Sequence, residues 1–236
     1  MRKKYVVALP EPERAQFHSL LGHAPDETAD ILAAAGMREG FFWLHDFASL
    51  CAGFHLLRND VADCAAPPPD SAACTVCAYG PVRARHTHAH RRLFERLALT
   101  VVAPAQTTLD FWRSHGDLPA RDAVVLPHAR LTPRGPAGKP AHRCFRLGFL
   151  GVPTPLKGWP LFRELAARLA DDPRYELHHL GVRQDPATRV AFHAVGASPD
   201  RPGAMQEVAE ALELDAALIW PLCRETFSFT AHAAAA

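Results

Sequence analysis

Short apolar runs alternate with stretches whose apolar side chains recur every three or four residues along this chain. Strands and helices taking turns give that double periodicity, so the fold class it predicts is α/β with parallel sheets. Phe41, Phe42, Trp43 and Leu44 predict a buried strand ending at His45 and Asp46. Runs at 100–103 and 123–126 predict two more, stopped by Pro104 and Pro127. Leu93, Phe94 and Leu97 predict a helix over 83–98, and a shorter one is expected at 107–113. From 129 the chain turns rich in Pro and Gly (Pro133, Gly135, Pro136, Gly138, Pro140), the composition of an interdomain linker. Beyond it a strand is expected at 145–150, a loop at 151–158 and a helix at 159–170, with Leu161, Phe162, Leu165 and Leu169 on one face. A strand at 175–181, a helix at 205–212 and a strand at 216–220 complete the pattern. The expected division is a first domain at 1–130, a linker at 131–142 and a second domain at 143–236. No opening strand with a glycine-rich turn is readable in 1–16, and the alanines at 233–236 stand where a helix should be running. Both domains therefore read as incomplete, as in a truncated chain.

Composition narrows the classes. Hydrophobic residues make up 48% of the 236, enough for a sizeable core. With 26 basic against 25 acidic side chains the net charge is +1, so nothing favours a nucleic-acid partner. No apolar run approaches the roughly 18–20 residues of a membrane span. The basic start at Arg2, Lys3 and Lys4 is followed by too short an apolar run for a signal peptide. The expected location is cytoplasmic, with at most peripheral contact at the inner membrane face. Much Ala, Arg and Pro with few Lys suggests a GC-rich bacterial gene.

In open parallel sheets, ligands sit at the carboxyl ends of strands, and three groups of residues occupy such ends. The first is Trp43-Leu44-His45-Asp46-Phe47, running on to Cys51. The second is Gly148-Phe149-Leu150-Gly151, followed by Lys157-Gly158-Trp159. The third is Pro221-Leu222-Cys223-Arg224-Glu225-Thr226-Phe227-Ser228. Together they resemble the HD-x4-C, G-F-x-G…K-G and P-E-T-F-S segments of the bacterial family 4 retaining glycosyltransferases. Val102-Ala103-Pro104 and Leu126-Pro127-His128 are similar to further stretches of that family, and the resemblance spans about 18–230.

That resemblance implies a GT-B architecture, two Rossmann-like domains facing a cleft, and transfer of sugar from a nucleotide-diphosphate donor with retained configuration. It implies that His45, Lys157 and Glu225 carry the chemistry: His45 hydrogen-bonds the donor sugar, Lys157 meets the diphosphate, and Glu225 holds sugar hydroxyls. Asp46, Gly151, Thr226, Phe227 and Ser228 are implied as substrate-binding, with the amides at 226–228 facing sugar and phosphates from a helix start. The physics agrees: an imidazole can serve a hydroxyl without being charged, and a lysine before a helix N-terminus makes an anion site. Lys157 is one of only four lysines in the chain. Two positions depart from the family pattern. Val152 stands where an arginine is usual, and Ala233 where a second, ribose-holding glutamate is usual. The implied partners are the sugar nucleotide and a saccharide or lipid-linked acceptor, in bacterial surface polysaccharide synthesis, with no cofactor needed for catalysis. The competing readings are an inactive remnant that binds sugar nucleotides, and a zinc-stabilised interaction module.

Cys51, Cys64, Cys74 and Cys77 give C-x12-C-x9-C-x2-C, in a loop with little apolar content of its own. In a chain without export signals this reads as a closed structural zinc site or as buried thiols. Cys144 and Cys223 read as buried thiols. His86, His88 and His90, among arginines, read as a solvated or cleft-facing basic surface, and so do His178 and His179. His18 and His23 flank a loop on the acceptor side.

Overall fold

The computed structural model describes residues 14–131, 144–198 and 200–235, so the expected linker lies, but for Leu131, outside the described residues. Up to His128 the elements are β1 (Ala15–Phe17), α1 (Pro25–Ala34), β2 (Glu39–Trp43), β3 (Leu57–Arg58), β4 (Ala62–Asp63), α2 (Ala72–Thr75), α3 (Gly80–Arg96), β5 (Ala98–Ala103), α4 (Gln106–His115) and β6 (Asp122–Val125). From residue 144 they are β7 (Phe145–Leu150), α5 (Trp159–Leu169), β8 (Tyr175–Gly181), β9 (Ala191–Ala194), α6 (Ala204–Ala211), β10 (Ala216–Leu218) and α7 (Phe229–Ala235). The chain forms two compact units: the residues up to His128 with Arg224–Phe227, and those from Ala129 to Cys223 with those from Ser228 on. Each carries its own parallel sheet, so the molecule is α/β. Among the described residues no helix is long and apolar enough to cross a membrane.

The first sheet runs β1-β2-β5-β6, every pair parallel. Contrary to the sequence reading, the unit has an opening strand, β1, paired to β2 through Ala15–Gly40 and Phe17–Phe42. At three residues it is too short for its alternation to show in a sequence window. Gly40 is required there, because a Cβ would stand 2.3 Å from the Ala15 carbonyl oxygen. Helix α1 opens on Pro25 with Asp26 and Glu27 in its first turn, complementing the helix dipole. It is tied to α3 by Arg92 Nε donating to Asp26 (2.9 Å) and by Arg96 to Asp30 (2.7 Å). The α3 face that packs inward is Arg83, His90, Leu93 and Phe94. His90 is therefore core, 1% exposed, and not the basic surface its arginine neighbours suggested; it shares a helical phase with Leu93 and Phe94. His86 also turns in, its Nε2 at 2.5 Å from the Ala48 carbonyl, while His88 stays exposed. Leu44, Leu99, Val101 and Trp112 complete this core, with Trp112 Nε1 donating to Ser49 Oγ at 2.9 Å.

The second sheet runs β10-β7-β8-β9, again all parallel. Neighbouring residues of β7 point to opposite faces. Leu147 and Phe149 pack with Trp159 and Phe162 of α5, whereas Leu150 packs with Ala204 and its neighbours on α6. Helices thus cover both faces, and the carboxyl half of the inner strand β8, His178 to Gly181, is buried. That corrects the surface reading of His178 and His179, which are 9% and 1% exposed. His179 Nε2 lies 3.0 Å from the Gly151 carbonyl, and His178 Nδ1 lies 3.1 Å from His193 Nε2. The buried stripe of α5 is Trp159, Phe162 and Ala166, and Leu161 is 41% exposed. Cys144 and Cys223 are half-buried, the first just before β7 and the second in the loop between β10 and α7.

Candidate functional site

In the first unit the carboxyl ends of three strands each deliver a histidine. His18 follows β1 directly, His45 follows β2, and His128 follows β6. All three are exposed. His18 Nδ1 and His45 Nε2 share one hydrogen bond at 3.0 Å, with their rings stacked at 5.3 Å. His128 stacks on His45 at 5.4 Å, and Trp43 stacks on His18 at 5.4 Å. Partial burial, then His128 and His18, hold the His45 imidazole below its ordinary pKa, with Asp46 acting the other way. It is therefore neutral at pH 7, the form that can donate to one hydroxyl and accept from another.

The segment Arg224–Phe227 belongs to this unit and is seated beside the histidines. Thr226 Oγ1 donates to the His45 carbonyl at 2.9 Å, and Thr108 Oγ1 donates to the Thr226 carbonyl at 2.7 Å. Phe227 meets the His128 ring edge-on at 5.2 Å. Arg224 clasps both oxygens of Asp63, at 3.1 and 2.9 Å, and lies 4.6 Å over the Phe111 ring. Glu225, half-buried, is thereby carried to the strand end that bears His45. Asp46 is committed locally: it accepts from Ser19 Oγ (2.9 Å) and from the Ala48 amide (2.8 Å), which fixes the turn after β2. His23 is exposed on the loop before α1. His128 entered the sequence analysis only within the Leu126-Pro127-His128 stretch and Thr108 not as a site residue, although each follows shortly on a strand end.

In the second unit Gly151 leaves β7 with φ +114°, and Lys157 ends a single 3-10 turn, Pro155–Lys157. The next residue, Gly158, is left-handed (φ +82°), and a Cβ on it would stand 2.2 Å from the Trp220 carbonyl oxygen. The loop after β7 and the loop after β10 are further joined by the Leu222 amide donating to Leu156 O at 2.9 Å. Lys157 is half-buried at this junction. Ser228 precedes α7, its Oγ accepting from the Ala231 amide at 3.4 Å, so the helix starts after 226–228. Replacing Gly158 with Ala is expected to cost about 2 kcal/mol, from the left-handed backbone and the displaced Trp220 carbonyl. Urea titration of the pure variant checks this, and an unchanged midpoint would remove the glycine requirement.

Of the residues singled out in the sequence, the structure thus places His45, Asp46, Glu225, Thr226 and Phe227 in the first unit, and Gly151, Lys157 and Ser228 in the second. Cys51, Cys64, Cys74 and Cys77 are all free thiols around one small cavity of the first unit. Burial pushes the Cys51 thiol up, against a backbone amide and Arg83 that pull it down. Among the described residues no three His, Cys, Asp or Glu side chains already converge on a point that could hold an ion. Compared with known proteins, the chain matches no protein-family model, and no curated protein matches it significantly.

Proposed function

We propose that this chain is a glycosyltransferase of the retaining, two-Rossmann-domain kind, taking a sugar from a nucleotide-diphosphate donor to a saccharide or lipid-linked acceptor. One observation carries the reading. The strand order β10-β7-β8-β9 reverses direction between β7 and β10, and the loops leaving those two neighbours meet at Gly158, with Lys157 beside it. A reversal of strand order opens a crevice at the carboxyl ends, the usual seat of nucleotides in open α/β sheets. The similarity of 148–158 and 221–228 to family 4 segments supports the same assignment.

In this reading the diphosphate lies at the loop after β7. As the anomeric bond breaks, charge grows on the leaving oxygen, and the Lys157 ammonium stabilises it. Neutral His45 and Glu225 hold sugar hydroxyls. The acceptor attacks from the face the diphosphate leaves, and the departing phosphate takes its proton. The pathway assigned is surface polysaccharide assembly at the cytoplasmic face of a membrane.

A second reading, a sugar-nucleotide-binding protein without transfer, draws on Ala233. That residue stands where the family holds the ribose, and its methyl packs against the Leu150 and Leu180 cluster. One experiment separates the two. The purified chain is mixed with uridine and guanosine diphosphate sugars, and calorimetry is run beside an assay for released nucleoside diphosphate. Release establishes turnover, and binding without release gives the remnant reading. A folded chain that does neither ends both. Lys157→Ala is expected to weaken donor binding about tenfold, the loss of one charge-assisted contact.

A further inference from the structure

We infer that Cys51, Cys64, Cys74 and Cys77 form a closed tetrathiolate zinc site whose negative charge is half offset by the buried arginine Arg83. Separate pieces of chain bring the four thiols together: the turn after β2, the end of β4, α2, and the turn before α3. All four line a single cavity with about 10 Å³ of free room. That holds one water-sized sphere and so one metal ion, not an organic ligand.

Arg83 supplies the second, independent observation. It is only 3% exposed, and its Nη1 donates to Cys74 Sγ at 2.9 Å and its Nε to the Leu50 carbonyl at 3.3 Å. Among the described residues it has no carboxylate partner. A guanidinium stays protonated even when buried, and a neutral thiol does not offset its charge. Four thiolates on Zn²⁺ carry a net charge of 2−, and Arg83 stands against one of them. The step balances: four thiols lose four protons to solvent as four S–Zn bonds form. The four thiols do not converge on one point as they stand, so binding the ion requires their side chains to turn toward the cavity they line.

The consequence is mechanical. Five non-glycine residues between 56 and 66 (Leu56, Asn59, Asp60, Ala65 and Ala66) adopt left-handed backbone, a costly run for so small a loop. Four protein ligands leave no open position, so the ion is structural and offsets that cost. Cys64 adjoins Asp63, the partner of Arg224, so the metal-clipped loop also sets the segment that carries Glu225.

The whole chain, purified without chelator, is expected to contain about one zinc ion by plasma emission spectrometry. Cys74→Ser and Cys77→Ser are expected to lose it, and Cys144→Ser, outside the cluster, to keep it. Two further readings do not depend on the serine variants folding. Cobalt(II) exchanged into the wild type is expected to show sulfur-to-metal charge-transfer bands with tetrahedral ligand-field bands. Arg83→Met is expected to retain the fold and to release zinc about tenfold more readily to a chromogenic chelator. A metal-free native chain with all four thiols open to a thiol reagent overturns the proposal. So does a Cys74–Cys77 disulfide found by mass spectrometry, or a cobalt spectrum without sulfur bands.

Discussion

Exchanging His45 for Phe is expected to lower kcat/KM for sugar transfer about 100-fold while leaving the thermal midpoint nearly unchanged. A phenyl ring keeps the stack on His18, His128 and Trp43 but removes both ring nitrogens. What is lost is the hydrogen-bonding capacity of the ring, including the bond shared with His18, and not the packing. Glu225→Gln, which removes a charge at the neighbouring segment, is expected to cost roughly 10²–10³-fold. The pH profile adds a sign. His45 is held below the ordinary histidine pKa by burial first, then by His128 and His18. The neutral ring therefore persists below pH 6.5, and the acid limb of the rate should fall under that value. Removing His128 as Ala takes away one of the depressing neighbours, so the limb should move toward neutral pH. If both the His45 and the Glu225 variants turn over within twofold of the parent, this strand-end cluster is not the site. A limb that stays put in His128→Ala would show that the stacking does not tune the ring.

How much of this was legible in the sequence depends on the length and phase of each segment. Strands β7 and β8 run six and seven residues with mainly apolar sequence, and the expected bounds coincide with the observed ones. The strands β1 and β9, three and four residues long, left no periodicity to read. The burial of His90 was legible in principle. Positions 90, 93, 94 and 97 fall on one helical face, whereas Arg85 and His88 fall elsewhere; reading local charge instead of phase gave the surface assignment. The burial of His178 and His179 was not legible, since it depends on β8 being flanked by β7 and β9. Nor was the three-histidine cluster. Its members stand 27 and 83 positions apart in the chain, and sheet order alone brings them together. Strand β5 lies between β2 and β6 and leaves its end through Ala103, Pro104 and Ala105, small side chains that let His45 and His128 meet across it.

Acid should weaken the first unit through one side chain above others. His90 is 1% exposed and its pKa is lowered from 6.5 to about 4, by burial first and then by the charge of the His86 ring, against the hydrogen bond to the His86 carbonyl and the charges of Asp46 and Asp26. Its Nδ1 lies 3.0 Å from the His86 carbonyl, so the proton sits there and Nε2 is left as a bare lone pair. Nε2 is buried with no hydrogen-bond partner among the described residues. A second proton would place an N–H cation at that atom with nothing to accept from it. The unfolded chain pays no such penalty and binds the proton at the ordinary value. The folded pKa is the depressed one, so this contribution to stability is whole above pH 6.5 and is lost as pH falls toward 4. The difference corresponds to roughly 3 kcal/mol, a large share of a typical domain's margin. His90→Leu removes the titration and keeps an apolar side chain of similar bulk. Acid effects from the other buried histidines and from the carboxylates occur in both proteins and cancel in the comparison. Urea midpoints measured from pH 7.5 to 4 should therefore converge on, or cross in favour of, the variant as pH drops. Parallel curves across that window would show that His90 takes up its proton as readily folded as unfolded, and the buried lone pair would lose its role in acid sensitivity.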